Sequence, residues 1–456
     1  MKPTIPHKET IMKQNIAKVV VLLAVVFLTG TSVQAGGVVD WSADKSLENY
    51  KEPSVSKAAR YSLARHTRVL SAQVIHNQGQ RTADTLDGRS FRRRNPGSSN
   101  TNVATGHSQM DLASRASSPV DALALMASAS TTDSGSPSNG VILWGSFYGG
   151  TSDYQRHGDR QGFEACTYGT ILGMEYDLTD DCYIGFMVAY ERNRMKFGSG
   201  TTNSITTQPW LLNPFIINET ISEIGGNASV ESLRFGPYVS KRFGLWFVNA
   251  SVTAGLHDVK YQRKILSAGT QVGSITGNLY NTWSDSATIK GHYQAWDLAL
   301  SGTVGRDIPL ADNQVLSPYL SMMYNYIHQN GFTETGDVSI ARSFHATRET
   351  ALTSYLGTRY QYSGQICKTP VTVNLNAAWA HQWLGGDEKQ VGRGVVTNNA
   401  YGAKQSLSRT TNDYFVYGAG VELPLSDSTS LSVGYQGQFG SDHVTHFGSV
   451  QLRVAL

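Results

Sequence analysis

From Val141 to the C-terminus, apolar and polar residues alternate with a period of two, segment after segment, and this constrains the chain more than any other feature. Ile184, Phe186, Val188 and Tyr190 alternate with Gly185, Met187, Ala189 and Glu191. Trp246, Val248, Ala250, Val252, Ala254 and Leu256 alternate with Phe247, Asn249, Ser251, Thr253, Gly255 and His257. That is the period of a β-strand, whose successive side chains point to opposite faces. Twelve such segments lie near 141–149, 166–178, 182–197, 229–241, 244–262, 288–307, 314–328, 349–363, 369–383, 410–424, 429–439 and 446–456. Most run 11–20 residues, against about 5–6 for an ordinary strand. About ten tilted residues at ~3.3 Å each cross a bilayer core.

The connections sharpen this reading. Five are short, at 179–181, 243–244, 309–313, 364–368 and 426–428; those between them are mostly long, at 150–165, 198–228, 263–287, 329–348 and 384–409. Alternating short turns and long loops are the mark of an outer-membrane barrel. An even strand count brings both ends of the barrel to the turn side. Tyr176, Trp246 and Tyr362 fall near the turn ends, and Tyr190, Tyr324, Tyr326 and Trp383 near the loop ends, as two aromatic girdles. A soluble sandwich or propeller would have shorter strands and no need of such girdles. The fold class is therefore all-β, a 12-stranded antiparallel transmembrane β-barrel. Charged residues at 16%, below the roughly 25% of soluble proteins, fit a wall with one face in lipid.

The first 140 residues are different. Lys13 and Lys18 precede the apolar run Val19–Leu28, followed by a small-residue site at Val33 and Ala35. Residues 1–35 read as a secretory signal peptide, cut between Ala35 and Gly36. The run is too short to span a membrane as a helix. The net charge of +3 lies wholly in this segment, so no basic field remains to suggest nucleic acid. Residues 36–117 form a short, passenger-like and largely disordered region, with an amphipathic helix expected at 54–76. The basic run "RSFRRR" at 89–94 reads as solvated. Residues 118–140 supply a better-signalled helix, with Ser118 as N-cap, Pro119 at the first helical position and Asp121 completing a capping box, then a turn-rich linker.

The stretch 305–336, "GRDIPLADNQVLSPYLSMMYNYIHQNGFTETG", resembles the C-terminal translocator domain of autotransporters (type V secretion), whose strand pair leads to a GFxExG-like loop, here Gly331–Gly336. "WGSFYGG" at 144–150 is similar to that family's first strand, and 169–197 to its second and third. The resemblance covers 141–456. It implies insertion into the outer membrane of a Gram-negative-type bacterium by the barrel-assembly machinery, with periplasmic chaperones and outer-membrane lipid as partners. It also implies a short helix in or near the pore, for which 118–129 occupies the matching position, and an N-terminal passenger at the cell surface. Inward polar positions Glu175, Glu191, Asp297, Arg359, Glu422 and Arg453 would line the lumen. The last strand, with Val450, Leu452, Val454 and Leu456 facing outward, would be read by the assembly machinery, although it ends in Leu rather than the family's usual aromatic residue.

Catalytic, phosphate-binding and metal-binding motifs are missing from the sequence. No nucleophile–base pair converges on expected strand positions, so no enzyme, metal or cofactor is expected. Cys166 and Cys182 flank the second strand at opposite ends and should not bridge. The expected function is an autotransporter barrel that translocates or displays its short N-terminal segment. The brevity of residues 36–117 and the long loops keep open a second reading, a non-translocating porin-like channel, anchor or adhesin, with host surface molecules as ligands.

Overall fold

Alternation over long segments builds one closed wall. In a computed structural model, the described residues are 54–94, 140–155, 162–198, 200–208, 215–273, 279–336, 341–366, 369–385, 387–394, 400–406 and 413–456. The twelve barrel strands are β1 (Val141–Tyr154), β2 (Phe163–Thr179), β3 (Cys182–Phe197), β4 (Phe215–Phe243), β5 (Trp246–Gly273), β6 (Leu279–Arg306), β7 (Gln314–Gln329), β8 (Thr347–Ile366), β9 (Thr369–Gly385), β10 (Asp413–Pro424), β11 (Thr429–Gly440) and β12 (His443–Ala455). Each pairs antiparallel with its sequence neighbours, and β1 pairs with β12 from Ile142↔Ala455 to Tyr154↔His443, closing the barrel. Each expected segment falls on one strand.

The outward rows are apolar. Ile184, Phe186, Val188, Leu233, Val252, Leu256, Leu298, Leu320, Leu356, Leu375 and Val433 are all exposed. Tyr176, Phe243, Trp246 and Tyr362 are exposed toward the turn rim, and Tyr168, Tyr190, Trp296 and Trp383 toward the loop rim. From Trp246 to Leu256 is ten residues, ~33 Å along the strand and about 25 Å in height at the usual tilt, which matches the apolar band of a membrane barrel. Among the described residues no helix is long and apolar enough to cross a membrane.

The connections depart from the expected loops. β4, β5 and β6 run 29, 28 and 28 residues, far beyond the membrane band, and Gly200–Gln208 pairs with β4. The stretches 198–228 and 263–287 are thus mostly strand. Their Thr- and Ile-rich sequences favour extended structure, but the clear amphipathic alternation that marks the membrane span is weak there. Within 384–409, Asp387–Gly394 and Ala400–Ser406 form a hairpin. At the turn rim, Gly244 adopts φ 62° in the two-residue β4–β5 turn, a conformation that favours glycine.

Cys166 sits opposite Thr151 and Arg194, and Cys182 opposite Lys241, at different heights of the wall, and both are free. Cys367, the signal cleavage site Ala35/Gly36 and the expected helix at 118–129 lie outside the described residues. In the last strand Val450 is exposed with the other outward side chains, whereas Leu452 and Val454 on the same face are buried and Leu456 is half-buried.

The β1–β12 seam is testable. Phe147 and Val450 are direct partners, about 4.5–5.5 Å apart at Cα, within disulfide reach. In a chain whose native cysteines are replaced by Ser, Phe147→Cys with Val450→Cys should oxidise to a barrel that keeps its compact, heat-modifiable gel mobility. Pairing of position 147 with position 449 instead would contradict the register.

Candidate functional site in the barrel lumen

The inward rows of the wall are polar, and polar groups sealed from water need partners. The partners come from helix α1 (Ser54–Arg94), whose residues 72–92 lie inside the barrel. The lumen helix is thus the segment at 54–94, and within "RSFRRR" Arg89, Ser90 and Phe91 are buried. Phe91 is 2% exposed and Arg89 4%. The helix expected at 54–76 extends to Arg94. The reason lies in the surroundings: a helix polar on all sides is a poor candidate for an apolar core, but a polar lumen is what such a helix can fill.

Two arginines fix the helix against the wall. Arg81 donates Nε to Glu191 Oε2 at 3.1 Å, and its Nη2 bonds Oε1 of the same carboxylate. Arg89 donates Nη2 to Glu175 Oε2 at 2.7 Å, with Nε on Oε1. Both pairs are bidentate, the strongest geometry for guanidinium and carboxylate. Both carboxylates are also held from the wall. Tyr148 OH and Asn193 Nδ2 each donate to Glu191 at 2.7 Å, and Tyr238 OH donates to Glu175 at 2.9 Å while accepting Trp144 Nε1 at 2.8 Å. The rings that aim these groups lie flat over glycines of the adjacent strand. A Cβ on Gly173 would stand 2.4 Å from Trp144, and one on Gly185 2.3 Å from Tyr238, so neither glycine can be replaced without moving the ring.

The spacing matches too. Arg81 and Arg89 are two helical turns apart, about 12 Å. Glu175 lies opposite Gly185, six residues below Glu191 on β3, which is about 15 Å of height on a tilted strand. Carboxylates and guanidinia therefore meet at two levels at once, which sets both the depth and the rotation of the helix.

Smaller contacts complete the seating. Near the loop rim, Asn77 Nδ2 donates to Tyr154 OH at 2.6 Å and Gln80 Nε2 to Tyr414 OH at 2.7 Å. Asp84 accepts Gln436 Nε2 at 2.9 Å, and Asp87 accepts Asn249 Nδ2 at 3.0 Å and the Thr303 hydroxyl. Toward the turn rim, Ser90 Oγ lies 2.5 Å from Tyr183 OH, and Arg92 bonds Gln451. The helix thus runs from the loop rim at its N-terminal side to the turn rim at Arg94. Above the ion pairs, Ala72, Val74 and Ile75 pack among Tyr154, Phe163, Val230, Val259, Tyr261 and Ile327. Glu334 of the Gly331–Gly336 loop is buried there, accepting Tyr261 OH at 2.7 Å and Arg263 Nη2 at 2.9 Å.

Each lumen position named from the sequence has a definite place. Glu175 and Glu191 hold the helix arginines. Asp297 is fully buried and accepts both Arg234 Nη2, at 2.8 and 2.9 Å, and His257 Nε2 at 2.7 Å. Arg359 donates Nη1 to the Asp87 carbonyl at 3.2 Å and lies 4.4 Å from the Tyr319 ring centre. Glu422, less buried, accepts Ser430 Oγ at 2.8 Å and lies 3.8 Å from Arg92. Arg453 lines a small space beside Arg89, Arg92 and Gln451.

Sequence reasoning missed the helix residues and a buried row in which Ser232 Oγ lies 2.8 Å from His257 Nδ1. Ser232 and His257 are direct cross-strand partners, so the alternation could have revealed them. With Asp297 they copy the order of a Ser–His–acid relay. Yet none of the three is more than 3% exposed, and Asp297 is committed to Arg234, so the row serves the wall. Among the described residues no cluster of His, Cys, Asp or Glu is arranged to hold a metal ion.

The ion pairs predict a reciprocal effect. Removing one partner of a buried pair costs about 3–5 kcal/mol. Glu191→Gln or Arg81→Gln should therefore make residues 72–92 of the folded barrel protease-sensitive. The combined swap Arg81→Glu with Glu191→Arg should restore much of the protection. Full protection in both single variants would contradict the assigned seat.

A family model described as an autotransporter β-domain matches residues 143–436. Two curated relatives, both named extracellular serine protease from Serratia marcescens, are 22% and 23% identical over 303 and 313 residues, covering 66% and 68% of this chain. The chain spans about a quarter of their length, 24% and 26%. Among solved structures, the translocator domain of the autotransporter NalP from Neisseria meningitidis is similar at 12% identity, with 73% of this chain and 92% of that one covered and a TM-score of 0.48. The β-domain of the Bordetella autotransporter Brka is similar at 13% identity, covering 70% of this chain and 100% of that one, with a TM-score of 0.43. With a matched family model spanning well over half its length and the twelve-stranded barrel that such a domain forms, this chain belongs to the autotransporter β-domain family, whose members are outer-membrane transport barrels.

Proposed function

We propose that the barrel inserts in the outer membrane, carries its own short N-terminal segment through the lumen and holds it displayed at the cell surface. The observation that carries this reading is the direction of α1. Its C-terminal end lies at the turn rim, where β1 also begins, and its N-terminal side lies toward the loop rim. Short turns face the periplasm in membrane barrels of this kind and long loops face outward. A 41-residue helix is about 60 Å long, more than twice the height of the apolar band, so its first residues leave the barrel on the outer side. The helix also contacts Gly200–Gln208 and Ala400–Ser406 of the loop-side extensions.

Transport here needs no catalytic group in the wall. The barrel supplies a closed, polar passage, and the bidentate pairs at Glu175 and Glu191 arrest the segment at one depth once it has passed. Insertion depends on the barrel-assembly machinery and periplasmic chaperones, with β12 as the strand presented to them. The protease activity in the names of the Serratia marcescens relatives is not carried over, because the matched stretch is a quarter of their length and the β-domain is a transport barrel.

The competing reading, a porin-like channel, requires an open lumen. The space left beside α1, against β8–β12, is about 170 Å³ and is lined by Arg81, Asp84, Arg92, Tyr355, Arg359 and Gln436 among others. In planar bilayers the full chain should conduct little, and deletion of residues 54–94 should open a large, steady pore. Equal conductance of both would favour the channel reading. In intact cells, a membrane-impermeant maleimide should label Ser54→Cys in a background lacking the native cysteines. Labelling only after the outer membrane is broken would contradict surface display.

A further inference from the structure

One face of the wall carries charges that the transport reading does not use. On β3 to β6, the outward row Tyr190↔Leu233↔Leu256↔Trp296 marks the loop-side edge of the apolar belt. Each further outward row is two residues on, about 5 Å higher on a tilted strand. The first row beyond the belt is Arg192↔Glu231↔Asp258↔Gln294, the second Arg194↔Ser229↔Lys260↔His292, and the third Lys196↔Asn227↔Gln262↔Lys290. Lys264 follows in the next row.

The acids on this face lie low and are engaged. Glu231 is 3.3 Å from Arg192, and Asp258 is 2.6 Å from Lys260 Nζ and 2.5 Å from His292 Nε2. Glu164 is exposed at the β2 margin of the third row, opposite Lys196 in the ladder. Arg194, Lys196, Lys264 and Lys290 are exposed, and among the described residues none of them has an ion-pair partner. The far wall differs: beyond the belt, β8 and β10 carry Arg348 and Asp413 outward, the latter 2.9 Å from His381.

We infer that the outer face of β3–β6 binds the phosphate groups of the phosphorylated glycolipid that surrounds the barrel on its loop side. The apolar rows directly below place acyl chains against the same strands, so the cations stand at head-group height, within one or two rows of the belt. Surplus positive charge meets phosphate there, and basic side chains at a membrane surface attract anionic head groups at about 1 kcal/mol each. Arg adds bidentate contact with phosphate oxygens. Among the described residues the surplus falls on one side, which implies a fixed lipid position, not a uniform halo.

The test uses the full chain, folded in detergent, mixed with bis-phosphorylated lipid A or its fully dephosphorylated form, with retained lipid read by native mass spectrometry. The wild-type protein should retain the phosphorylated lipid preferentially. Neutralising Arg194, Lys196, Lys264 and Lys290 together to Gln should lower retention more than tenfold, since each charge is worth about fivefold. Arg348→Gln on the far wall should leave it unchanged. Glu231→Gln with Asp258→Asn removes acids from the same face and should raise retention, which keeps the inference testable if the fourfold variant does not fold. Equal retention of the two lipids, an equal loss in Arg348→Gln, no gain in the acid-depleted variant, or a second protein copy held in place of lipid would overturn it.

Discussion

Burial of carboxylates inside a closed wall is the constraint on which the structure depends. Glu175, Glu191 and Asp297 point into a lumen where none of them is more than 1% exposed, and an ionised carboxylate is costly there unless it is paired and hydrogen-bonded. Asp297 finds its partners in the wall itself, in the Arg234 guanidinium and the His257 ring N–H. Glu175 and Glu191 instead take theirs from Arg89 and Arg81 of a segment nearly a hundred residues away in the chain. The barrel and its contents are thus one electrostatic unit, and an empty lumen would leave two carboxylates without their cations. Buried ion pairs often add little net stability over apolar packing. Their role here is better described as position, because two bidentate contacts at matching heights admit one depth and one rotation of the helix.

The wall makes those contacts possible by holding the acids rigidly. Tyr148 and Asn193 on one side, and Tyr238 with Trp144 on the other, orient each carboxylate before the arginine arrives. The high Gly and Tyr content follows from the same construction, since inward rings fold over glycines of neighbouring strands. The loop-side end is closed differently, by apolar packing around Ile75 and by Glu334 folded back onto Arg263. The resulting lumen is polar in its middle and apolar at its outer mouth.

Much of the wall was legible because a membrane barrel writes its strands as long alternations, and alternation survives without knowledge of neighbours. Strand number, antiparallel order and the inward parity of Glu175, Glu191 and Asp297 all follow from it. The upper parts of β4, β5 and β6 were not legible, because without lipid on one side the amphipathic contrast that marks a strand is weakened. The helix was half legible: a helix at 54–76 was expected, but neither its extension to Arg94 nor its place in the lumen. Ser54–Arg94 is mostly polar and has no acidic residue in its first turn, so its C-terminal half carries no start or stop signal of its own. Its signal lay elsewhere, in the surplus of inward carboxylates: a wall that faces acids inward needs an internal source of cations, and Arg81, Arg89 and Arg92 supply it.

The claim that this particular segment fills the lumen is tested most directly by site-specific photocrosslinking in the folded full-length chain. A crosslinking residue at Gln80 should attach to β10 near Tyr414. No attachment from Gln80 to any inward position of the wall would contradict the account.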